Sequence, residues 1–162
     1  MTALHPDLAH LDWLVGHWEG VGALVDPDGP EQTYVSEVVV SHDGRPFLAY
    51  SARSWRLEAD GSRGEPGPSE SGFWRRGAAE RDVELVLAQP TGVVTVLLGE
   101  VVFRKVELVS DLVARTTTGR QVTGATRLYG AVEGGLAYVV EEAVDGRPLA
   151  PVRSARLSRV EG

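Results

Sequence analysis

The sequence contains no cysteine, and that absence removes several kinds of chemistry at once. Disulfide bonds, thiolate metal sites and a cysteine nucleophile are all excluded. Long apolar runs are missing too, since no stretch approaches the roughly 20 residues that a membrane-spanning helix needs. Residues 1–12 show no basic segment followed by an apolar one, so no export signal is visible. We therefore expect a protein of the cytoplasm.

Basic side chains are fewer than acidic ones. The sequence has 16 lysines and arginines and 23 aspartates and glutamates, which gives a net charge of −7. This negative average charge repels the phosphate backbone of nucleic acids, and no basic stripe interrupts it. The two basic groupings, Arg75 with Arg76 and Arg153 with Arg156 and Arg159, are short and typical of solvated surface. We expect neither a nucleic acid nor a membrane as a partner.

The signatures of common enzymes are also absent. The four histidines, His5, His10, His17 and His42, form no His-x-x-x-His pair of the kind that binds zinc on a helix. No Gly-x-Ser-x-Gly segment presents a serine nucleophile, and no glycine-rich loop precedes a helix to bind phosphate. We assign no catalytic residue and no resident metal.

What the sequence does contain is a series of β-strand patterns. Residues 6–15 begin with Pro-Asp and place Leu8, Leu11 and Leu14 at helical spacing, which predicts one short N-terminal helix. Segments rich in β-branched and aromatic residues then predict strands at 33–40, 47–55, 83–89, 93–103, 106–114, 122–129, 136–143 and 152–160. Asp-Gly and Gly-Gly pairs between them mark turns. Consecutive strands without helices between them predict an antiparallel sheet, either a sandwich or a closed barrel.

Residues 58–71 are rich in glycine, proline and serine, and predict a flexible loop between two strands. The segment is too short and too local to be a linker between domains. Since no internal repeat is visible either, we expect a single domain over residues 1–162.

The most distinctive motif is Gly-His-Trp-Glu-Gly-Val-Gly at residues 16–22, where the predicted helix meets the first strand. A tryptophan there packs across the end of a barrel, and glycines let neighbouring backbones approach closely. We single out Gly16, Trp18, Gly20 and Gly22 as its defining residues. In order along the chain follow Ser-His-Asp-Gly-Arg-Pro at 41–46, Leu-Ala-Gln-Pro-Thr-Gly at 87–92 and Asp-Gly-Arg-Pro-Leu at 145–149. Together these segments resemble the nitrobindin family over nearly the whole chain.

The resemblance implies an all-β fold, a ten-stranded antiparallel barrel of the calycin type, like that of fatty-acid-binding proteins, with one short N-terminal helix. Nitrobindins bind ferric haem b, interact with nitric oxide and are credited with isomerising peroxynitrite to nitrate. Their iron is held by one proximal histidine, three residues after a Pro-Leu pair. In this sequence Pro148 and Leu149 are followed at that position by Val152. Because valine offers no donor to iron, the resemblance implies that haem binding is lost or altered.

Three further residues are candidates for the pocket that the resemblance implies. Gln89 stands where the Leu-Ala-x-Pro-Thr-Gly pattern usually has histidine. His42 matches a family histidine, although a hydrogen bond to the turn at residues 43–44 is the alternative role for it. Arg153, if it faces inward, could pair with a ligand carboxylate or a haem propionate. Substitute iron donors would be His42 or, provided that one faces the cavity, a tyrosine: Tyr34, Tyr50, Tyr129 or Tyr138.

Strand alternation leaves the orientation of the last strand open. It places Arg153 on one face with Ala155, and Val152 on the other face with Ser154. The pattern does not decide which of the two faces points into a barrel.

Three functions compete on these observations. The first is a binding module that carries a small hydrophobic or amphipathic ligand without iron ligation, since closed barrels of this size can enclose one such molecule. The second is a haem enzyme that acts on nitric oxide or peroxynitrite through a substitute ligand. The third is a barrel scaffold for interaction with another protein. We favour the first and assign no cofactor.

Overall fold

The computed structural model describes residues 2–161, and within them one sheet of eleven strands follows a short helix. The strands are β1 (Gly16–Leu24), β2 (Gln32–Ser41), β3 (Leu48–Leu57), β4 (Arg63–Pro66), β5 (Glu70–Arg76), β6 (Asp82–Gln89), β7 (Val93–Val101), β8 (Lys105–Arg115), β9 (Val122–Val132), β10 (Gly135–Val144) and β11 (Ala150–Arg159). The strands pair antiparallel throughout the sheet.

Ten of these strands close into a barrel. β1 pairs with both β2 and β11, and β2 also pairs with β3, so the sheet returns on itself. The four-residue β4 adds to β3 beside this ring. The predicted ten-stranded antiparallel barrel is confirmed, and closure decides between the barrel and the sandwich that periodicity left open.

The predicted N-terminal helix is present at Pro6–Leu14, and it is a 3₁₀ helix. A 3₁₀ helix has three residues per turn, so side chains three apart line one side of it. Leu8, Leu11 and Leu14 have this spacing, and all three are fully buried against the barrel. The side chain of His5 caps the first turn by accepting a hydrogen bond from the backbone N–H of Asp7 at 3.1 Å. No helix in the described part of the chain is long and apolar enough to cross a membrane.

The segment at residues 58–71 is more ordered than a flexible loop. It contains β4, and its last residues begin β5 at Glu70. The guanidinium of Arg63 in β4 lies over the ring of Trp55 at 4.0 Å from its centroid and 3.0 Å from a carboxylate oxygen of Glu19. These contacts hold the segment on the outer wall of the barrel, and nothing in its glycine and proline content predicted them.

The motif at residues 16–22 lies at the end of the barrel that the helix covers. Trp18 is buried, and its indole N–H donates to the carbonyl oxygen of Leu14 at 2.9 Å. A Cβ on Gly20 would overlap the carbonyl oxygen of Arg156 in β11. The motif therefore closes this end, with the tryptophan as a plug and the glycine as a point of close strand contact.

Two apolar clusters contribute to the barrel interior. The large one begins under the helix with Leu11, Trp18 and Trp74 and extends as far as Val152 in β11. A small separate cluster of Val93, Val122 and Val144 lies at the other end of the barrel, where β7 and β9 begin and β10 ends.

Candidate functional site

The principal cavity opens at the end of the barrel opposite the helix and has a volume of about 580 Å³. Its size lies within the range of about 300–1,000 Å³ that is usual for small-molecule sites. Three of the residues singled out from the sequence line it together: Gln89, Val152 and Arg153. They come from the end of β6 and the start of β11, which closure of the barrel brings to the same opening.

Val152 and Arg153 both face the cavity although they are neighbours in the chain. A shift in register between β10 and β11 causes this: Val140 is opposite Arg153, whereas the next residue, Glu141, is opposite Pro151. Val152 is the extra residue of this bulge, and its carbonyl accepts a hydrogen bond from Val25 in the neighbouring chain segment at 2.8 Å. A bulge interrupts the alternation of side chains along a strand. Val152 and Arg153 therefore do not lie on opposite faces of β11, as strict alternation would require.

A buried ion-pair network lies inside the barrel beneath the cavity and reaches it through Arg153, the residue at its floor. The carboxylate of Glu70 accepts hydrogen bonds from both terminal nitrogens of Arg127, with Nη2 at 2.7 Å from Oε1. Nη2 of Arg153 donates to Oε1 of Glu70 at 2.9 Å. The side chains of Glu70 and Arg127 are only 4% and 3% exposed. One carboxylate is therefore shared by two guanidinium groups inside the barrel.

The surroundings of Glu70 keep it ionised. Burial alone would raise the pKa of this carboxyl, because the charged form loses its hydration. The positive charges of Arg127 and Arg153 and the hydrogen bond from Arg127 outweigh that effect and lower the pKa of Glu70 to about 2. At neutral pH the network beneath the cavity therefore carries one negative and two positive charges.

Four tyrosines lie below this network, towards the helix end. The hydroxyl of Tyr138 bonds to Ser36 at 2.7 Å and to Tyr34, and the hydroxyl of Tyr50 bonds to Tyr129 at 3.0 Å. Burial raises the pKa of Tyr34, Tyr50 and Tyr138 above the ordinary value for tyrosine. These hydroxyls are thus protonated and partnered at neutral pH, which disfavours them as phenolate ligands.

A small internal cavity of about 20 Å³ separates some of these hydroxyls from the floor, with Tyr34, Tyr138 and Arg153 among its walls. A space of this size holds about one water molecule. Arg153 lines both this inner cavity and the large outer one. Its guanidinium therefore forms the boundary between the hydroxyl cluster and the ligand space.

The sequence reasoning missed Glu70 and Arg127. Arg127 follows the inward-facing Ala125 and precedes the inward-facing Tyr129 in β9, so it lies on the buried face of that strand. A charged residue on an otherwise apolar strand face requires a partner, because an unpaired buried charge is costly. That rule could have identified Arg127 as a residue with a buried partner. Only closure of the barrel shows that the partner is Glu70, 57 residues earlier in the chain.

The structure places His42 away from the cavity. It follows the end of β2, where Val40 pairs with Gly16 beside the helix. Its Nδ1 accepts a hydrogen bond from the backbone N–H of Gly44 at 3.3 Å, which is the alternative role considered for it. His42 is therefore not among the residues that meet at the open end.

One cluster with metal-ligating side chains lies on the outer wall, where His17, Glu19 and Glu37 have ligand atoms within 4.8 Å of one another. The carboxylates are already engaged: Arg53 lies 2.6 Å from Glu37, and Arg63 lies 3.0 Å from Glu19. Hydrogen bonds from Arg53 and His17 lower the pKa of Glu37 against the opposing effect of burial. The guanidinium groups provide the cations here, so the cluster is a surface ion-pair network.

Comparison with known proteins agrees with this architecture. Residues 7–159 match the family described as the THAP4-like, heme-binding beta-barrel domain. The chain belongs to this family. The ferric nitrobindin-like protein of Kineococcus radiotolerans is 42% identical, over 94% of this chain and 93% of its own length. The protein of Nocardioides sp. named peroxynitrite isomerase is also 42% identical, over 96% and 94% of the two chains.

A solved structure shows the same fold in a relative. The crystal structure of Rv2717c from M. tuberculosis superposes with a TM-score of 0.86 at 32% sequence identity, covering 98% of this chain and 100% of that one. The resemblance to nitrobindins drawn from the sequence motifs is therefore confirmed for both family and fold.

The cavity of this nitrobindin-like barrel does not fit an iron-ligated haem. Haem iron in proteins is held by histidine, cysteine, methionine or tyrosine side chains. Within residues 2–161, the residues that line the cavity include none of these types. Tyr34, Tyr50 and Tyr138 line the inner cavity beyond Arg153 instead. The side chains present at the opening are suited to hydrogen bonding and apolar contact, and not to binding iron.

Proposed function

We propose that this protein is a nitrobindin-like binding module that holds a small amphipathic molecule in the open end of its barrel, and that it has lost the family's haem ligation. The observation that carries the proposal is the cavity of about 580 Å³ whose wall includes Val152 where the family motif leads us to expect the proximal histidine. Replacing a histidine by valine removes an iron ligand but leaves an apolar wall. The site then retains its volume and its polar floor.

The first test is a haem titration followed by absorbance, comparing the natural protein with Val152→His. We expect no Soret shift in the natural protein and a stoichiometric shift in Val152→His, because an imidazole at this position points into the cavity. Ser154→His is the matched control, since Ser154 is next to the inward-facing Ala155 on β11 and is not among the residues that line the cavity. A shift of equal size in Ser154→His would show that the new band does not report the cavity.

The second test uses Nile red, a neutral probe whose fluorescence rises in apolar surroundings. We expect the natural protein to bind Nile red and the cavity-filling variant Val152→Phe to lose that binding. Ser154→Phe, on the same strand, should bind as the natural protein does. If the natural protein gives no fluorescence increase, or if both variants bind equally well, the cavity is not the binding site and the proposal fails.

A second candidate function is haem-dependent isomerisation of peroxynitrite, favoured by the name given to the relative from Nocardioides. It requires a substitute iron ligand in this chain. Tight, stoichiometric haem binding by the natural protein would support it and would direct attention to His42 and the tyrosines. A location in the cytoplasm, expected from the sequence, stays a prediction.

A further inference from the structure

The charges inside the barrel do not balance. Glu142 is 2% exposed and is paired with Arg120 at 2.8 Å, so these two cancel. The floor network then leaves two guanidinium groups, on Arg127 and Arg153, against the single carboxylate of Glu70. A net positive charge away from bulk water is stabilised when an anion approaches it.

The two arginines differ in what they can offer to an anion. Arg127 is 3% exposed, and its terminal nitrogens donate to Glu70 and to the hydroxyl of Tyr129. Arg153 donates a single hydrogen bond within the described chain, from Nη2 to Glu70. A guanidinium group has five N–H donors, so most donors of Arg153 are available on a side chain that lines the cavity. Arg153 is therefore the group at the floor with N–H donors to offer to an anion.

Other residues of the cavity suit the remainder of an amphipathic molecule. Gln89 lies beside the same carboxylate, with its amide nitrogen 3.5 Å from Oε1 of Glu70, and can offer a further N–H to an anion. Leu24, Val144 and Val152 provide apolar wall above the floor. The site thus combines one cationic floor group with an apolar enclosure.

We propose that the ligand of this cavity is an amphipathic monocarboxylate, bound with its carboxylate on Arg153 and its apolar part against the wall above. This inference rests on the proposed binding function and specifies the class of ligand. Planar guanidinium and carboxylate groups match each other in paired hydrogen bonds, which favours a carboxylate as the anionic group.

The rim of the cavity argues for a single negative charge on the ligand. Three carboxylates lie there, on Asp26, Asp28 and Asp145, and Arg147 pairs with one of them, Asp28, at 2.9 Å. Leu24 in β1 pairs with Arg153, and Asp26 is two residues further along the chain. Since an extended chain advances about 3.3 Å per residue, the rim begins roughly 7 Å from the floor. A second carboxylate at the outer end of the ligand would meet this negative rim.

The experiment is displacement of Nile red from the natural protein by decanoate, decanol, decyltrimethylammonium and decanedioate. We expect decanoate to displace the probe at about tenfold lower concentration than decanol, the size of effect expected of a hydrogen bond between charged groups. Decyltrimethylammonium should displace less well than decanol, and decanedioate less well than decanoate. This series uses only the natural protein and so does not depend on the folding of any variant.

Arg153→Gln then tests the assigned residue. It should reduce the preference for decanoate over decanol to about onefold while Nile red still binds, because the apolar wall is unchanged. Arg156→Gln is the control, since Arg156 is on the same strand but exposed on the outer surface; its preference should equal that of the natural protein.

The outcomes distinguish failure of the binding function from failure of the ligand class. If Nile red does not bind in the cavity at all, the proposed function itself is wrong. If Nile red binds but decanoate and decanol displace it equally, or if Arg153→Gln keeps the full preference, the binding module stands and the monocarboxylate assignment is overturned. Displacement by decanedioate at lower concentration than decanoate would likewise contradict the single-charge assignment.

Discussion

The carboxylate of Glu70 and the guanidinium of Arg127 form a two-point ion pair inside the barrel, with one N–O distance of 2.7 Å. The two residues are on β5 and β9, which are not neighbours in the sheet, so the contact crosses the interior. Arg153 reaches the same carboxylate from β11. These three side chains therefore link β5, β9 and β11 between the packed core and the cavity.

Arg127→Met should destabilise the protein by about 3 kcal/mol or more, because it leaves the carboxylate of Glu70 buried with one partner fewer. Equilibrium urea unfolding measures the change. Arg45→Met is the control: Arg45 pairs with Asp43 on the surface, where both side chains are more than half exposed, and it should cost under about 1 kcal/mol. Equal losses in the two variants would contradict a special role for the buried pair.

The pH dependence of stability should carry the signature of Glu70. Its pKa is lowered in the folded state to about 2 from an ordinary value of 4.5. The contribution is therefore fully present above about pH 4.5 and is lost as the pH falls towards about 2, an effect on the order of 3 kcal/mol. Unfolding free energies measured across this window should fall less steeply in Glu70→Gln than in the natural protein. Parallel curves for the two proteins would mean that another carboxyl dominates.

Gly20→Ala should destabilise the barrel, because the added Cβ would overlap backbone atoms of Arg156 and Leu157 in the neighbouring strand. Backbone cannot move aside as a flexible side chain can, so we expect a loss of about 1–3 kcal/mol, as for overpacking. Thermal unfolding measures it. Gly130→Ala is the matched control, since its Cβ would meet only ordinary contacts at 3.9 Å or more. A neutral Gly20→Ala would show that β1 and β11 separate without cost.

Leu11→Ala should cost about 2–5 kcal/mol, the usual range for removing a fully buried leucine. Leu11 lies in the middle of the 3₁₀ helix, where its side chain packs onto the covered end of the barrel. Leu149→Ala, at a leucine that is 46% exposed, should cost far less. Chemical denaturation compares the two, and a similar loss in both would contradict the role of the helix as a packed cover.

Some features of the fold were within reach of the sequence because they depend on local chemistry. Alternating apolar residues such as Val83, Leu85 and Leu87 predict a strand, and all three are buried in β6. The break between β7 and β8 is predicted at 104–105, but the strand predicted at 93–103 ends at Val101, two residues earlier. Phe103 and Arg104 adopt left-handed conformations there, with φ of 50° and 58°. Such turns usually carry asparagine or glycine, so these residue types gave no signal.

By itself the sequence determined the strand series, the closing motif around Trp18, membership of the nitrobindin-like family and the valine at position 152. These follow from residue types and spacings that act over a few positions. Only the tertiary structure decided that Val152 and Arg153 both face the cavity and that Glu70 is held between Arg127 and Arg153. The reason is physical: a bulge overrides side-chain alternation, and a charge pair across a barrel exists only once the sheet has closed.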